Sequence, residues 1–474
     1  MASRPSQAPW LAAVVRGSSF LVARHAAVSA VNFGSTLALA WFLTPGDWGA
    51  FAVADPFVIA CTLIMDLGLT AALVRVPAAR LEGLAARIVR LQVLLGAAAA
   101  ALLWAVAARW QGWYGLAPGQ EWILRLDALA LLLLPLRQVA VARLERDLAF
   151  PRIAALETAE ALGAQAVVVT LAWRGAGPFA LVAGPLLRAV VGAVVAPVLA
   201  GWRWWAAPPP GRVSLRPLLR FGLVLRANNF VTFGRDAVIP FAVGTVAGPA
   251  AAGYIRWAAA VANYPALLFL NVSRVFYPLF VRLKARTAVL RPAVEGALHA
   301  SVWFSSLLSV PLFGLADPLV RLVFKERWWP AIPLFDVLVP INVLLAAIVT
   351  AGACFDARGR PGVRLGFAVA GGAVLWGGTL LALRPFGILG FGYANLAMNL
   401  VELGLVGALA RSLPGLALPW RPALAAAVTG LTLRATVNAL PAVAGGWPGV
   451  LALAAVGGAA FLLLAGPVRA PRPA

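Results

Sequence analysis

The chain contains few charged residues for its length. Asp, Glu, Lys and Arg make up 12% of its 474 residues, whereas they make up about 25% of a typical soluble globular protein. So few charges cannot cover a water-exposed surface, and most of the surface must therefore face lipid. The charges that are present are mostly basic, with 39 Lys and Arg against 17 Asp and Glu.

Side chains that bind metals or form disulfides are also scarce. The two cysteines, Cys61 and Cys354, fall inside apolar runs, which argues against a disulfide framework or a cysteine metal site. The two histidines, His25 and His299, are far apart, and the sequence has no Gly-rich phosphate loop, nucleophile elbow or zinc motif. We therefore predict a protein that is not an enzyme, with no catalytic residue, no metal site and no cofactor.

Apolar runs of about 20 residues account for most of the chain, which is 62% hydrophobic with a mean hydropathy of +0.89. Because these runs show no strict alternation, they predict membrane helices rather than barrel strands. We predict an all-α polytopic membrane protein with about fourteen transmembrane helices. Prolines inside the predicted helices, such as Pro240 and Pro265, indicate kinks.

The net charge of +22 would suggest nucleic-acid binding in a soluble protein. Here the basic residues lie in short loops between apolar runs, so we expect no nucleic-acid partner. With a cytoplasmic N terminus, most of them fall in the inner segments, Arg137, Arg143 and Arg146 among them. The positive-inside rule then predicts that both termini are cytoplasmic.

A weak internal repeat predicts two related halves. Shifting the sequence on itself places Gly49 over Gly253 and Asn32 over Asp236. We predict a six-helix N-lobe (1–200), a cytoplasmic inter-lobe loop (201–218), a six-helix C-lobe (219–411), and two further helices with a short cytoplasmic tail (412–474). The two lobes would form a pseudo-twofold repeat around a central cavity.

Polar side chains recur on one stripe of the first predicted helix. A charged side chain at the bilayer centre costs about 2.5–3.5 kcal/mol on insertion scales, and charged and polar side chains inside a span usually face the interior of the helix bundle. His25, Ser29, Asn32 and Thr36 share one face, with Arg24 at its edge. This stripe predicts either a cavity wall or hydrogen bonds between helices.

The seventh predicted helix is polar on two sides, so neither side can face lipid and we expect it to line a central cleft. Its two stripes are Arg226, Asn229, Asp236 and Asn228, Thr232, Arg235. The eighth helix carries Arg256, Asn263 and Arg274 at whole-turn spacing. Guanidinium groups facing a cleft would attract an anionic headgroup, although Arg274, close to the inner end, can also extend to the interface.

Acidic residues inside the spans leave alternatives open. Asp55 and Asp66 of the second helix could carry a proton, neutralise an arginine or form a fixed salt bridge. Glu160 and its neighbour Glu157 predict local pairing with Arg152. Four further charges have no partner that the sequence identifies: Asp127, Arg188, Glu402 and Arg434. Residues 324–329 (FKERWW) predict an outer interfacial turn.

Several motifs occur in the order typical of one transporter family. They are residues 43–49 (LTPGDWG), 66–69 (DLGL), 146–152 (RDLAFPR), 175–182 (GAGPFALV), 252–254 (AGY), 275–278 (VFYP), 329–331 (WPA) and 359–361 (GRP). With these motifs the chain resembles the polysaccharide transporter (Wzx-like oligosaccharide flippase) family of the multidrug/oligosaccharidyl-lipid/polysaccharide (MOP) exporter superfamily. One departure is 325–327, where that family usually has Gly before the acidic residue.

The resemblance implies a flippase of the bacterial cytoplasmic (inner) membrane that works by alternating access. Its substrate would be a polyprenyl-diphosphate-linked oligosaccharide, exported for polysaccharide, O-antigen or lipopolysaccharide assembly. The implied partners are membrane lipid and this substrate, with a polysaccharide polymerase and a chain-length regulator as candidates. Two alternatives stay open: a drug or metabolite exporter of the same superfamily with an acidic or apolar cavity, and a non-transporting membrane scaffold in envelope polysaccharide assembly.

The predicted site combines the cleft arginines with nearby polar and acidic side chains. The substrate-binding residues are predicted to be Arg24, His25, Asn32, Arg226, Asn229, Arg235, Arg256, Asn263 and Arg274. The coupling or charge-neutralising residues are predicted to be Asp55, Asp66 and Asp236.

Overall fold

The computed structural model describes residues 28–73, 76, 78–203, 216–273 and 275–467. These residues form helices and connecting turns, without a strand among them. Nine of the described helices are long and apolar enough to cross a membrane. The predicted class, an all-α multi-pass membrane protein, is therefore confirmed, whereas the count of fourteen helices and the lobe boundaries stay predictions.

The N-half consists of the helices that precede the gap at residues 204–215. In chain order they are α1 (Val28–Phe42), α2 (Pro45–Asp66), α3 (Leu69–Ala72), α4 (Ala78–Trp113), α5 (Glu121–Ala128), α6 (Ala130–Arg146), α7 (Phe150–Trp173) and α8 (Phe179–Leu199). Within it α8 packs on α6 and α7, α4 packs on α5 and α6, and α2 packs on α5.

The C-half follows the gap. It consists of α9 (Arg216–Asp236), a π-helical segment (Ile239–Val243), α10 (Gly244–Val246), α11 (Pro249–Ala262), α12 (Tyr264–Ser273), α13 (Phe276–Leu283), α14 (Thr287–Gly314), α15 (Ala316–Val323), a 3₁₀ segment (Glu326–Ala331), α16 (Ile332–Ala357), α17 (Pro361–Phe386) and α18 (Ile388–Ser412). The last two helices, α19 (Trp420–Ala439) and α20 (Trp447–Ala465), pack on α14 at the flank of this half.

The eighth predicted span is broken into α11 and α12 at Asn263. Pro265 has no N–H to donate to the carbonyl four residues earlier, and its ring occupies that space. The predicted kink at Pro265 is therefore present. It also means that Arg256 and the residues after the break do not lie on one regular stripe.

The first helix hairpin is fixed by a capping box. The backbone N–H of Thr44 donates to Oδ2 of Asp47 (2.8 Å), and the backbone N–H of Asp47 donates to Oγ1 of Thr44 (3.1 Å). These bonds start α2 at Pro45, whose rigid φ suits the first helical position. The motif at residues 43–49 thus fixes the start of α2 at Pro45, the residue that contacts the C-half.

We call the end of the bundle at Pro45 the outer end, following the orientation predicted from charge. There α2 and α11 cross at two glycines. A Cβ on Gly49 would overlap the carbonyl of Pro249, and a Cβ on Gly253 would overlap the carbonyl of Pro45. Glycine lets two helix backbones approach this closely, so these four residues form a tight outer seam between the halves.

A second seam joins the halves at the inner end. Gly68, which has a left-handed φ of 77°, lies against Gly222 at the start of α9, and neither residue has room for a Cβ. Leu67 also has a positive φ, of 40°. The two halves are therefore in backbone contact at both the outer and the inner end of α2 in this conformation.

The predicted interfacial turn at 324–329 is wrong for Trp328. Its side chain is completely buried, and its ring lies 4.4 Å from that of Trp257, centroid to centroid. The indole N–H donates to the carbonyl of Ala40 on α1 (2.8 Å), and Trp48 of α2 contacts the ring edge-on. Trp328 is thus a core residue that joins the two halves beneath the outer surface.

Candidate functional site

An ion pair bridges the two halves inward of the outer seam. Nη2 of Arg256 on α11 lies 3.5 Å from Oδ2 of Asp55 on α2. The two residues follow Gly253 and Gly49 by about one to two helical turns. The Arg256 side chain is 41% exposed and that of Asp55 is 17% exposed. The guanidinium is therefore paired with Asp55 and still partly exposed, so another anion can replace Asp55.

Arg235, near the end of α9, has two carboxylate neighbours. Its Nη1 lies 3.7 Å from Oε1 of Glu402 on α18, and its Nε lies 3.4 Å from Oδ1 of Asp236. The indole of Trp376 on α17 donates to the carbonyl of Gly234 (2.8 Å) and holds this end of α9 in place. Glu402, whose partner the sequence did not identify, thus pairs with Arg235.

Two predicted site residues make hydrogen bonds between or within helices. Oδ1 of Asn32 accepts from Nε2 of Gln165 on α7 (2.9 Å). Asp66 is buried at the end of α2 and accepts from the backbone N–H of Thr70 (3.2 Å) and from Gln92 on α4 (3.2 Å). These bonds favour a structural role for both residues, through hydrogen bonds.

The remaining predicted residues are only partly described. Asn229 is half-buried on α9, and Asn263 is exposed at the break between α11 and α12. Arg226 lies on α9, and its side chain is not among those that the structure describes. Arg24, His25 and Arg274 lie outside the described residues. The structure therefore joins Asp55 to Arg256 and Arg235 to Asp236, and the rest of the site stays a prediction.

A cavity of about 540 Å³ lies within the N-half, between α2, α5, α6, α7 and α8. Its wall carries four carboxyl and two guanidinium groups. They belong to Asp55, Asp127, Arg137, Glu157, Glu160 and Arg188. Because Asp55 also pairs with Arg256, the cavity reaches the bridge between the halves.

The strongest ion pair in this cavity joins α6 to α7. Nε and Nη2 of Arg137 donate to the two oxygens of Glu160, at 2.8 and 2.7 Å. Gly192 on α8 leaves room for both side chains, since a Cβ there would lie 2.5 Å from Cδ of Arg137 and 2.7 Å from Oε1 of Glu160. The predicted pairing of Glu160 with Arg152 is wrong, because Arg152 instead donates to the carbonyl of Leu199 (3.1 Å).

The charge pattern predicts an inner segment for Arg137, whereas this residue lies in the middle of α6. Because α6 continues to Arg146, Arg137 is well inside the helix. The length of this helical run is the sequence signal that predicts this position.

Arg434 on α19, another charge for which the sequence identifies no partner, pairs with Asp336 on α16 (3.1 Å). Within the described residues, no group of three His, Cys, Asp or Glu is placed to hold a metal ion.

Comparison with known proteins identifies the family. A sequence model of the polysaccharide biosynthesis protein family matches residues 38–333. The chain belongs to this family. The match confirms the resemblance to the polysaccharide transporters of the MOP superfamily that the motifs predicted.

Two curated relatives share part of the family sequence. The lipopolysaccharide biosynthesis protein WzxC of Escherichia coli (strain K12) is 27% identical over 256 residues, which cover 51% of this chain and 49% of WzxC. The teichuronic acid biosynthesis protein TuaB of Bacillus subtilis (strain 168) is 27% identical over 142 residues, 30% of this chain and 29% of TuaB. This chain therefore matches about half of the length of WzxC and less than a third of the length of TuaB.

Two solved structures share its fold. The lipid II flippase MurJ, in an inward closed conformation, superposes with a TM-score of 0.71 at 11% identity, covering 94% of this chain and 98% of MurJ. An inward-facing MATE family transporter of the MOP superfamily gives a TM-score of 0.61 at 14% identity, covering 81% and 96%. The family member described here therefore has the fold of the MOP transporters.

Proposed function

We propose that this chain is a flippase of the bacterial inner membrane with both termini cytoplasmic. It moves a polyprenyl-diphosphate-linked oligosaccharide from the inner to the outer leaflet for polysaccharide or O-antigen export. The observation that supports the proposal is the partly exposed ion pair between Arg256 and Asp55, which bridges the halves between the outer and the inner seam. A polysaccharide polymerase and a chain-length regulator are the proposed protein partners.

The proposed binding step is an exchange of anions on Arg256. A guanidinium forms paired hydrogen bonds with phosphate oxygens, so the diphosphate displaces Asp55 while the polyprenyl chain stays in the membrane. The single 3.5 Å contact to Asp55 is long for a charge-assisted hydrogen bond and is easily replaced. Arg24, Arg226 and Arg235 are proposed to contact the rest of the headgroup.

Alternating access then follows from the two seams. Opening the inner seam admits the headgroup, and opening the outer seam releases it. Export of two negative charges from a negative-inside cell is favourable by about 4–5 kcal/mol per 100 mV. The membrane potential alone can therefore provide a large part of the driving force.

One observation favours a second candidate function. The N-half cavity has more carboxyl than guanidinium groups, a balance suited to a cationic drug or metabolite rather than to a diphosphate. The two functions differ in which cavity binds the substrate. A scaffold that assembles other proteins would transport neither class of substrate.

Reconstituted protein separates these candidates. Proteoliposomes carrying the wild-type chain are given a fluorescent polyprenyl-diphosphate sugar on one side, and its movement is followed by a membrane-impermeant quencher. A cationic dye is tested in parallel vesicles. Movement of the lipid-linked sugar alone supports the flippase, movement of the dye alone supports the exporter, and movement of neither overturns both. In cells, loss of the protein should accumulate lipid-linked glycan on the inner leaflet.

A further inference from the structure

The N-half cavity contains a buried carboxyl that the proposed substrate exchange does not use. Asp127 on α5 is only 1% exposed, although it lines the cavity wall. Its Oδ2 atom is buried and accepts no hydrogen bond from any described residue. An ionised carboxylate in such a position has lost its water without gaining a donor, which is strongly unfavourable. The group must therefore bind a cation or a proton.

The charged groups that face Asp127 do not supply this missing partner. They belong to α2, α6 and α8, which pack on α5, and to α7, which also lines the cavity. Helix α4 packs on α5 as well, but none of its described residues lines the cavity. Arg137 on α6 is engaged by both oxygens of Glu160 on α7, and Glu157 and Asp55 are themselves acidic. Arg188 on α8 is exposed to the cavity and makes no ion pair with Asp127.

A proton fits this position better than a metal ion. A metal ion needs several oxygen ligands, and no three acidic, histidine or cysteine side chains of the described residues lie close enough together to hold one. A proton needs a single carboxylate oxygen and neutralises it completely. It would come from water in the cavity when the cavity is open, and it would return to water when the cavity opens again.

We propose that Asp127 is a proton-binding residue of the N-half cavity. Its carboxyl carries an exchangeable proton in this conformation, in which the halves are in contact at both seams, and releases it when water reaches the cavity. Closing the cavity then requires protonation of Asp127. Neither Arg256 nor the glycines of the outer seam line this cavity, although Asp55, which pairs with Arg256, does.

The direct test is infrared spectroscopy of the purified full chain in lipid nanodiscs. A protonated carboxyl gives a C=O stretching band that shifts in D₂O. The wild type should show this band, Asp127→Asn should lose it, and Asp127→Glu should retain it at a shifted frequency. Asp317→Asn, which changes a partly exposed aspartate at the outer end, is the matched control and should keep the band. A band that is absent from the wild type, or unchanged in Asp127→Asn, overturns the proposal.

Two further measurements define the ligand and its effect. Replacing sodium with choline should leave the band unchanged, and loss of the band on adding sodium would identify a metal-ion site instead.

In proteoliposomes, transport by the wild type should slow as pH rises, because deprotonation of Asp127 opposes closure of the cavity, whereas transport by Asp127→Asn should not change with pH. An identical slope in both proteins contradicts the proposal. The infrared result stands even if no lipid-linked sugar moves, so failure of the flippase proposal is distinguishable.

Discussion

Gly49 of α2 and Gly253 of α11 occupy equivalent places on the two sides of the outer seam. Each lies against the carbonyl oxygen of the proline that begins the other helix, Pro249 for Gly49 and Pro45 for Gly253. These are the residues that the internal repeat places over one another. The reciprocal contact is what a pseudo-twofold axis between α2 and α11 requires.

Gly49→Ala should weaken the outer seam. The new methyl group overlaps backbone atoms of Pro249, which cannot move as a flexible side chain can, and such overpacking costs about 1–3 kcal/mol. We expect the outer ends of the halves to separate. The measurement is the electron-spin distance between labels at Ala117 and Lys325, in protein whose two cysteines are replaced by serine.

Gly46→Ala is the matched control for this change, because it lies on the same helix turn and its Cβ would make only an ordinary 3.6 Å contact with Thr44. The control should keep the wild-type distance. A distance that is unchanged in Gly49→Ala, or equally lengthened in both variants, would show that the seam does not depend on glycine.

Gly222→Ala should act at the opposite end. Its Cβ would overlap backbone atoms of Leu67 and Gly68, so the inner seam cannot close. Labels at Asp147 and Lys284 should move apart while the outer pair stays unchanged. Gly234→Ala, on the same helix with open space around it, should leave both distances as in the wild type. Separation of the outer labels instead would refute the assignment of two independent seams.

Asp55→Asn should strengthen binding of a diphosphate. Asp55 competes for Arg256, and a partly exposed ion pair is worth less than about 1 kcal/mol, so removing the competitor should tighten binding by about two- to fivefold. Calorimetry with farnesyl diphosphate and the variant in nanodiscs measures this change. Asp317→Asn provides the control for loss of one negative charge. Weaker binding by Asp55→Asn would mean that Asp55 positions Arg256 instead of competing for it.

Glu160→Gln should destabilise the N-half. The Arg137 guanidinium would lose its bidentate acceptor in a site where Glu160 is almost fully buried, and breaking a buried pair costs about 3–5 kcal/mol. The expected result is a clearly lower midpoint of thermal unfolding in detergent. The exposed pair between Asp317 and Arg321 offers the comparison, because Asp317→Asn should cost less than about 1 kcal/mol. Equal losses would rule out a special role for the buried pair.

Features set by neighbouring residues could be predicted from the sequence. The break near Pro265 follows from a missing N–H, and the start of α2 follows from the cap between Thr44 and Asp47. The outer seam was also within reach, since the repeat had already aligned Gly49 with Gly253.

Features set by the relative rotation of helices could not be predicted. Arg137 meets Glu160 and Arg235 meets Glu402 only because α6 faces α7 and α9 faces α18. Periodicity gives the face of one helix but not the neighbour that this face contacts. Trp328 was misjudged for the same reason: the sequence pattern of an interfacial aromatic residue is also that of an aromatic residue at a helix–helix contact.

The role of Arg256 is tested most directly by the rate at which reconstituted protein moves a polyprenyl-diphosphate sugar across the bilayer. Arg256→Ala should reduce this rate by at least about tenfold, equivalent to about 1.4 kcal/mol. Arg321→Ala, which removes an outer-end arginine that also pairs with an aspartate, should transport like the wild type. Undiminished transport by Arg256→Ala, and by a companion Arg226→Ala variant, would contradict the exchange of anions at the bridge between the halves.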